Sequence, residues 1–163
     1  MKKIFATLTI LLCLQYGYAQ VSYYKGEWTR LNKQELFSGI FKIGLDASDH
    51  VKVEIVWTYL ATDSSNSQLL EMYKGKKGRS GIEYAEGNFS ASANDLTFEG
   101  LRADDPFTIL GLDKYHLKLS ADKKVIYGTT ETEGSHEGML YAVKLPDAAG
   151  EKEFKATKAR VKK

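Results

Sequence analysis

The sequence is poor in the residues that carry most enzyme chemistry, with one cysteine, three histidines and two prolines. The cysteine, Cys13, lies inside an apolar stretch directly after Leu12, which disfavours a lipid anchor. Once the segment around Cys13 is removed, no disulfide or thiolate site can form. The sequence also contains no phosphate-binding loop, no metal-ligand spacing and no nucleophile-base-acid set. We therefore predict no cofactor and a protein that is not an enzyme.

Long apolar runs are also absent, apart from a short one at the start. Two lysines precede the apolar stretch 4–14, and Ala19 is the small residue expected before a cleavage point. That stretch is too short to span a bilayer, and its layout is that of a secretory signal. We predict a signal peptide at 1–19, cut after Ala19, a secreted or periplasmic location and no transmembrane segment.

The charge of the remaining chain is balanced. Removing the two N-terminal lysines takes the 23 basic residues to 21, equal to the 21 acidic ones. This balance gives no reason to expect a nucleic-acid partner. Residues 151–163 nevertheless carry six basic and two acidic side chains. Because it is charged and has few apolar residues, the segment 146–163 is predicted to be a flexible basic tail after a single domain at 20–145.

Apolar residues recur with period two over most of that domain, which is the strand signature. In the run VKVEIVWTYL, for example, the alternate residues from Val51 to Tyr59 are apolar. About eight such runs follow one another, separated mostly by short polar turns. Short connections favour antiparallel neighbours, and closing eight strands removes the exposed edges. The sequence predicts an all-β, eight-stranded antiparallel up-and-down barrel, with a two-sheet β-sandwich as the alternative.

The turns of the last hairpins predict which side chains face inward. With SADK and TEGS as turns, Tyr115 and Tyr141 share the inner face, and Tyr127 and Leu140 share the outer one. The stretch TEGSHEG at 132–138 is then a hairpin tip, and its His136 lies too far from His116 to share a metal ion with it.

Inward aromatic residues make the interior the first candidate site. An eight-stranded barrel is either filled by side chains or holds one small ligand, and a buried tyrosine needs a partner for its hydroxyl. The connection 102–112 is too apolar to extend into water, so it covers one end as a plug or a lid. The candidate binding residues for a small apolar or aromatic ligand are Trp57, Tyr59, Tyr115, Tyr141 and Phe107.

A basic loop offers a different function, that of a protein-interaction or inhibitor module with a filled barrel. The segment KGKKGRSG at 74–81 carries four cations that could meet an acidic partner. They are Lys74, Lys76, Lys77 and Arg79.

An enzymatic alternative depends on two glutamates. With ASAN as a turn, Glu86 lies opposite Glu99, at the spacing of the acid and nucleophile in retaining glycosidases. Because the outer face of a barrel provides no cleft, we rank this catalytic interpretation last.

The stretch Gly26-Glu27-Trp28 resembles the Gly-x-Trp start of lipocalins and related calycin barrels. The resemblance implies an eight-stranded barrel whose interior binds small hydrophobic molecules and whose Trp28 packs across a closed end. Lipocalins also place an arginine over that tryptophan, and here no arginine occurs between Arg102 and Arg160.

Overall fold

A computed structural model of the protein describes residues 20–31, 33–63, 65–131 and 138–161. Eight strands form one closed barrel in which each strand pairs antiparallel with the next and the last pairs with the first. The strands are β1 (Gln20–Arg30), β2 (Glu35–Leu45), β3 (His50–Thr62), β4 (Ser80–Ser90), β5 (Asp95–Asp104), β6 (Lys114–Leu119), β7 (Val125–Glu131) and β8 (Gly138–Leu145). The predicted all-β up-and-down barrel is confirmed.

Two helices accompany the barrel. Helix α1 (Ser67–Met72) lies between β3 and β4, and helix α2 (Asp147–Val161) follows β8. No helix in the described part of the chain is long and apolar enough to cross a membrane. The predicted signal segment 1–19 lies outside the described residues.

The period-two pattern places one row of side chains from every strand in the barrel interior. Phe41, Ile55 and Ile126 are fully buried there, and Tyr115 and Leu117 nearly so. This packed layer fills the middle of the barrel, and two open spaces lie towards its two ends.

The pairing of β4 with β5 agrees with the sequence prediction. Glu86 lies opposite Glu99, and Gly87 lies opposite Phe98. A Cβ at Gly87 would come within 2.4 Å of the Phe98 Cα, so this position requires glycine. The ladder has one irregularity, between Tyr84 and Ala85.

The predicted orientation of β8 is wrong. Tyr127 pairs with Tyr141 and not with Leu140, so the strand is shifted by one residue and its faces are exchanged. Leu140 is buried, whereas Tyr141 is 57% exposed on the outer face. The inward row contains the smaller residues because space is short there: a Cβ at Gly138 would come within 2.1 Å of the Trp28 indole nitrogen.

The predicted flexible tail is also wrong, because residues 147–161 form helix α2. Phe154 and Val161 are seven residues apart, which puts them on one face, and both are buried against the barrel. Gly150 lets the helix approach the wall closely, since a Cβ there would lie 2.3 Å from the Tyr23 Cβ. The basic residues of the helix are partly used in ion pairs, such as Lys158 with Glu54.

Candidate functional site

A cavity of about 630 Å³ occupies the end of the barrel where β1 ends and β2 begins. Its apolar and aromatic lining consists of Trp28, Phe37, Trp57, Leu69, Met72, Tyr73, Ile109, Leu110 and Gly111. Its polar lining consists of Arg30, Glu35, Asn66, Gln68, Lys76, Glu83, Thr108, Asp113 and Tyr115. We call this space the cavity. A second space of about 70 Å³ at the opposite end is far smaller.

One side of the cavity is covered by α1. The residue before the helix, Asn66, caps its N-terminus: the Asn66 side-chain oxygen accepts a hydrogen bond from the Leu69 amide at 3.1 Å. The Asn66 amide group also donates to the Gln34 side chain at 3.2 Å, which ties the helix to the β1–β2 connection. Leu69 is buried beneath the helix and lines the cavity.

The segment before β6 covers the other side. The Asp105 carboxylate accepts hydrogen bonds from the Ile109 amide at 2.6 Å and the Leu110 amide at 2.7 Å, and these bonds fold the segment back on itself. Ile109 is buried. The connection 102–112 was expected to cover one end of the barrel as a plug or a lid. Its residues 108–111 line the cavity, and we call them the cover.

The cavity floor carries a buried carboxylate, Glu83 of β4. Its Oε2 accepts hydrogen bonds from the Trp57 Nε1 at 2.9 Å and the Tyr115 hydroxyl at 2.6 Å. Its Oε1 has only a long contact, 3.5 Å, with the Asp113 amide. The side chain is 1% exposed, and it fits because Gly100 has no Cβ, which would come within 2.3 Å of Oε1.

Burial raises the pKa of Glu83 to about 7, because it penalises the ionised form. The hydrogen bonds from Tyr115 and Trp57 act in the opposite direction, and the negative charge of Asp113 raises the pKa further. Burial, and then the charge of Glu83, raise the pKa of Tyr115 well above its usual value, so its hydroxyl remains a donor.

A second polar group lies nearer the rim. The Arg30 Nε lies 2.7 Å from the Glu35 Oε2, and the side chain of Glu35 is almost fully buried. Burial raises the pKa of Tyr73, and the neighbouring Glu35 carboxylate raises it further. Arg30 and Glu35 therefore enter the cavity lining as a paired cation and anion.

Between floor and rim the wall is aromatic. Phe37 contacts Trp28, Trp57 and Tyr73 edge-on, with ring centroids 5.6, 6.5 and 6.1 Å apart. Tyr73 also stacks on Tyr59 at 4.4 Å. These contacts hold the rings in fixed positions and so preform the wall of the cavity.

The structure places two of the five predicted ligand-binding residues in the cavity lining and the other three outside it. Trp57 and Tyr115 line the cavity. Tyr59 supports the wall through its stacking on Tyr73, whereas Phe107 is not a lining residue and lies under the Arg79 guanidinium, which is 4.7 Å from its ring centroid. Tyr141, which was expected inside, lies on the outer face, for the reason given for β8.

The two alternative sites lie elsewhere. Glu86 and Glu99 are exposed on the outer face, with the Lys52 amine 3.9 Å from the first and the Lys114 amine 3.8 Å from the second, and neither glutamate lines the cavity.

Two of the four basic loop residues have contacts with the cover or with Phe107 directly before it. The Lys76 amine donates to the Thr108 carbonyl at 3.0 Å, and Arg79 lies over Phe107. Lys74 lies 3.3 Å from Glu71, and Lys77 is exposed.

His136 and residues 132–137 as a whole lie outside the described part of the chain. Within the described ranges, no group of three or more His, Cys, Asp or Glu residues could hold a metal ion.

Comparison with known proteins gave a plain result. No protein-family model, curated protein or solved structure matches this chain. Trp28, which carries the resemblance to lipocalins, lines the cavity, and its indole N–H donates to the Thr130 hydroxyl at 2.7 Å.

Proposed function

We propose that this protein binds a small, largely apolar organic molecule that contains an aromatic ring, and that it holds this molecule in the cavity. The observation that carries the proposal is the cavity itself, about 630 Å³ of space beneath α1 and residues 108–111. Ligand sites typically measure roughly 300–1,000 Å³ and combine apolar walls with a few placed polar groups. The preformed aromatic wall and the single floor carboxylate fit that description.

The proposal is for binding without a chemical step. Among the described residues that line the cavity there is no serine, cysteine or histidine to serve as a nucleophile with an adjacent base. The interaction-module alternative has less support, because it assumed a filled barrel. Export of the protein is part of the proposal and is supported by the residue pattern of positions 1–19.

A titration with N-phenyl-1-naphthylamine, a neutral aromatic dye whose fluorescence rises in apolar surroundings, tests the proposal. We expect saturable binding at one site per chain. Tyr73→Ala should weaken this binding by about tenfold, because it removes a ring that lines the cavity, and one aromatic contact is worth roughly 0.5–1.5 kcal/mol. The measurement is the dye's dissociation constant.

Tyr141→Ala is the matched control, since it removes the same side chain from the outer face. It should leave the dissociation constant within twofold of the parent value. Absence of saturable binding, or equal losses in the two variants, would contradict the proposed site.

A further inference from the structure

The hydrogen-bond donors at the cavity floor are already in use. The indole N–H of Trp57 and the hydroxyl of Tyr115 both point at the same atom, the Glu83 Oε2. An indole has one N–H and a tyrosine one O–H, so neither has a second proton to offer a ligand. What the floor has left are acceptors: the Glu83 Oε1, with its single long contact to the Asp113 amide, and the Tyr115 oxygen. While Glu83 is ionised, a ligand atom that reaches this floor must therefore be a donor.

The charges of the cavity lining also favour a ligand group that donates hydrogen bonds and is positively charged. Its lining contains three acidic residues, Glu35, Glu83 and Asp113, and two basic ones, Arg30 and Lys76. Arg30 is paired with Glu35. Lys76 places its amine on the Thr108 carbonyl. Among the described residues, none of the cations forms an ion pair with Glu83.

The wall above the floor suits a cation as well as an apolar group. The rings of Trp57, Phe37 and Tyr73 line the same cavity as Glu83 and contact one another through Phe37. The face of an aromatic ring attracts a cation within about 6 Å of its centroid, and the attraction is strongest where water is excluded. A carboxylate beneath several aromatic rings is a combination that recognises an organic ammonium group.

Resting on the proposed function, we infer that the ligand is an alkylamine that carries an aromatic ring, and that it binds with its protonated nitrogen at Glu83 and its ring against the aromatic wall. The ammonium supplies the donors that the floor lacks and the positive charge that Glu83 lacks. The apolar part of the ligand fills the space under α1 and residues 108–111.

The titration of Glu83 makes this recognition dependent on pH. The groups that face it are Trp57 from β3, Tyr115 from β6 and Asp113, while Gly100 of β5 adds no charge. Arg30, Glu35 and Lys76 complete the charged lining of the cavity. Because burial raises the pKa of Glu83 to about 7, the carboxylate is ionised at pH 8 and largely protonated at pH 5.5. A cation is therefore bound more tightly at the higher pH.

Three indoles that share a two-carbon side chain and differ in the group at its end test the inference: tryptamine ends in an ammonium cation, 3-ethylindole has no polar group there, and indole-3-propionate ends in a carboxylate anion. Binding is followed by calorimetry and by the indole N–H signals of the ¹⁵N-labelled protein. The chain has two tryptophans, and both line the cavity. We expect both signals to shift and tryptamine to bind at least tenfold more tightly than 3-ethylindole at pH 8.

Glu83→Gln should reduce the preference for tryptamine over 3-ethylindole, measured as the ratio of the two dissociation constants, to within twofold. Glu99→Gln, which removes one carboxylate from the outer face, should retain the full preference. If Glu83→Gln does not fold, the pH series of the parent protein decides: the preference for tryptamine should fall at least fivefold from pH 8 to pH 5.5.

Equal affinities for tryptamine and 3-ethylindole, tighter binding of indole-3-propionate, or a preference that survives in Glu83→Gln would overturn the inference while leaving the proposed function intact. If none of the three compounds shifts the indole signals and the naphthylamine dye does not bind, the proposed function itself fails, and the inference fails with it.

Discussion

Replacing Gly26 by alanine should lower the free energy of unfolding by about 3 kcal/mol, the upper part of the range for an overpacked position. Gly26 of β1 pairs with Ala142 of β8 at the seam that closes the barrel. A Cβ at Gly26 would come within 2.0 Å of the Tyr141 carbonyl oxygen and 2.4 Å of the Ala142 Cα. Both atoms belong to the backbone, so no side chain can rotate away. Urea unfolding followed by circular dichroism measures the effect.

Gly44→Ala provides the control for this prediction. Gly44 is also a strand glycine, in β2, but a Cβ there would meet only the Lys52 carbonyl oxygen, at an ordinary 3.8 Å. The substitution should change the free energy of unfolding by no more than about 0.5 kcal/mol. Equal stability of the two variants would show that the backbones of β1 and β8 are farther apart at Gly26 than in the structure.

The stability of the protein should depend on pH through Glu83. The pKa of this carboxyl is about 7 in the folded protein, against an ordinary value of 4.5 for a glutamate in water. Between these two values the folded state binds more protons than the unfolded state, so stability falls as the pH rises. The contribution is complete below pH 4.5 and lost above about pH 7. A difference of this size corresponds to on the order of 3 kcal/mol.

Comparison of the parent with Glu83→Gln isolates this contribution. Other carboxylates also titrate: hydrogen bonds from Lys158 and Lys42 outweigh burial at Glu54, and the pKa of Glu54 is lowered, which favours stability at higher pH. Both proteins keep Glu54, so its effect cancels in their difference. The free energy of unfolding of the parent minus that of the variant should fall by on the order of 3 kcal/mol from pH 4.5 to pH 8. A difference that stays constant over this range would mean that Glu83 titrates at its ordinary pKa when the protein is folded.

The barrel could be predicted from the sequence because each strand has a buried and an exposed face. The alternation in residues 51–59 and the turn after Ser90 both gave correct results, including the pairing of Glu86 with Glu99. In these strands one row of apolar residues is clearly larger than the other, so only one register buries it.

Strand β8 was misread because the register was taken from TEGS as the turn, and both rows of the strand are apolar. An inner row of Met139, Tyr141 and Val143 was therefore as acceptable as one of Gly138, Leu140 and Ala142. The deciding factor is space at the seam, where Trp28 packs directly over Gly138. Trp28 and Gly138 are far apart in the chain, so the pattern of apolar residues within β8 cannot reveal this contact.

The packing of helix α2 could have been predicted from apolar residues on the outer face of the barrel, which become visible only when neighbouring strands are compared. Ile40, Val56 and Ile82 are apolar residues at outward positions of three neighbouring strands, and all three are buried. An apolar patch on the outside of a barrel needs a cover. Phe154 and Val161, on one face of α2, belong to the same buried cluster.

The floor carboxylate could also have been found by position. Glu83 has the same parity as the inward residues Gly87 and Phe89, so the alternation already turned it towards the interior. A charged residue at an inward position indicates a site, because a buried charge requires partners. The partners themselves come from β3 and β6, 26 and 32 residues away in the chain, and depend on the barrel being closed.

Native mass spectrometry of the protein prepared under mild conditions from the cells that produce it tests the central claim most directly. If the cavity holds a small organic molecule, the native mass should exceed the denatured mass by that of one bound compound per chain, and the released compound should carry an aromatic ring and a basic nitrogen. Identical native and denatured masses would contradict the claim that this barrel is a ligand carrier.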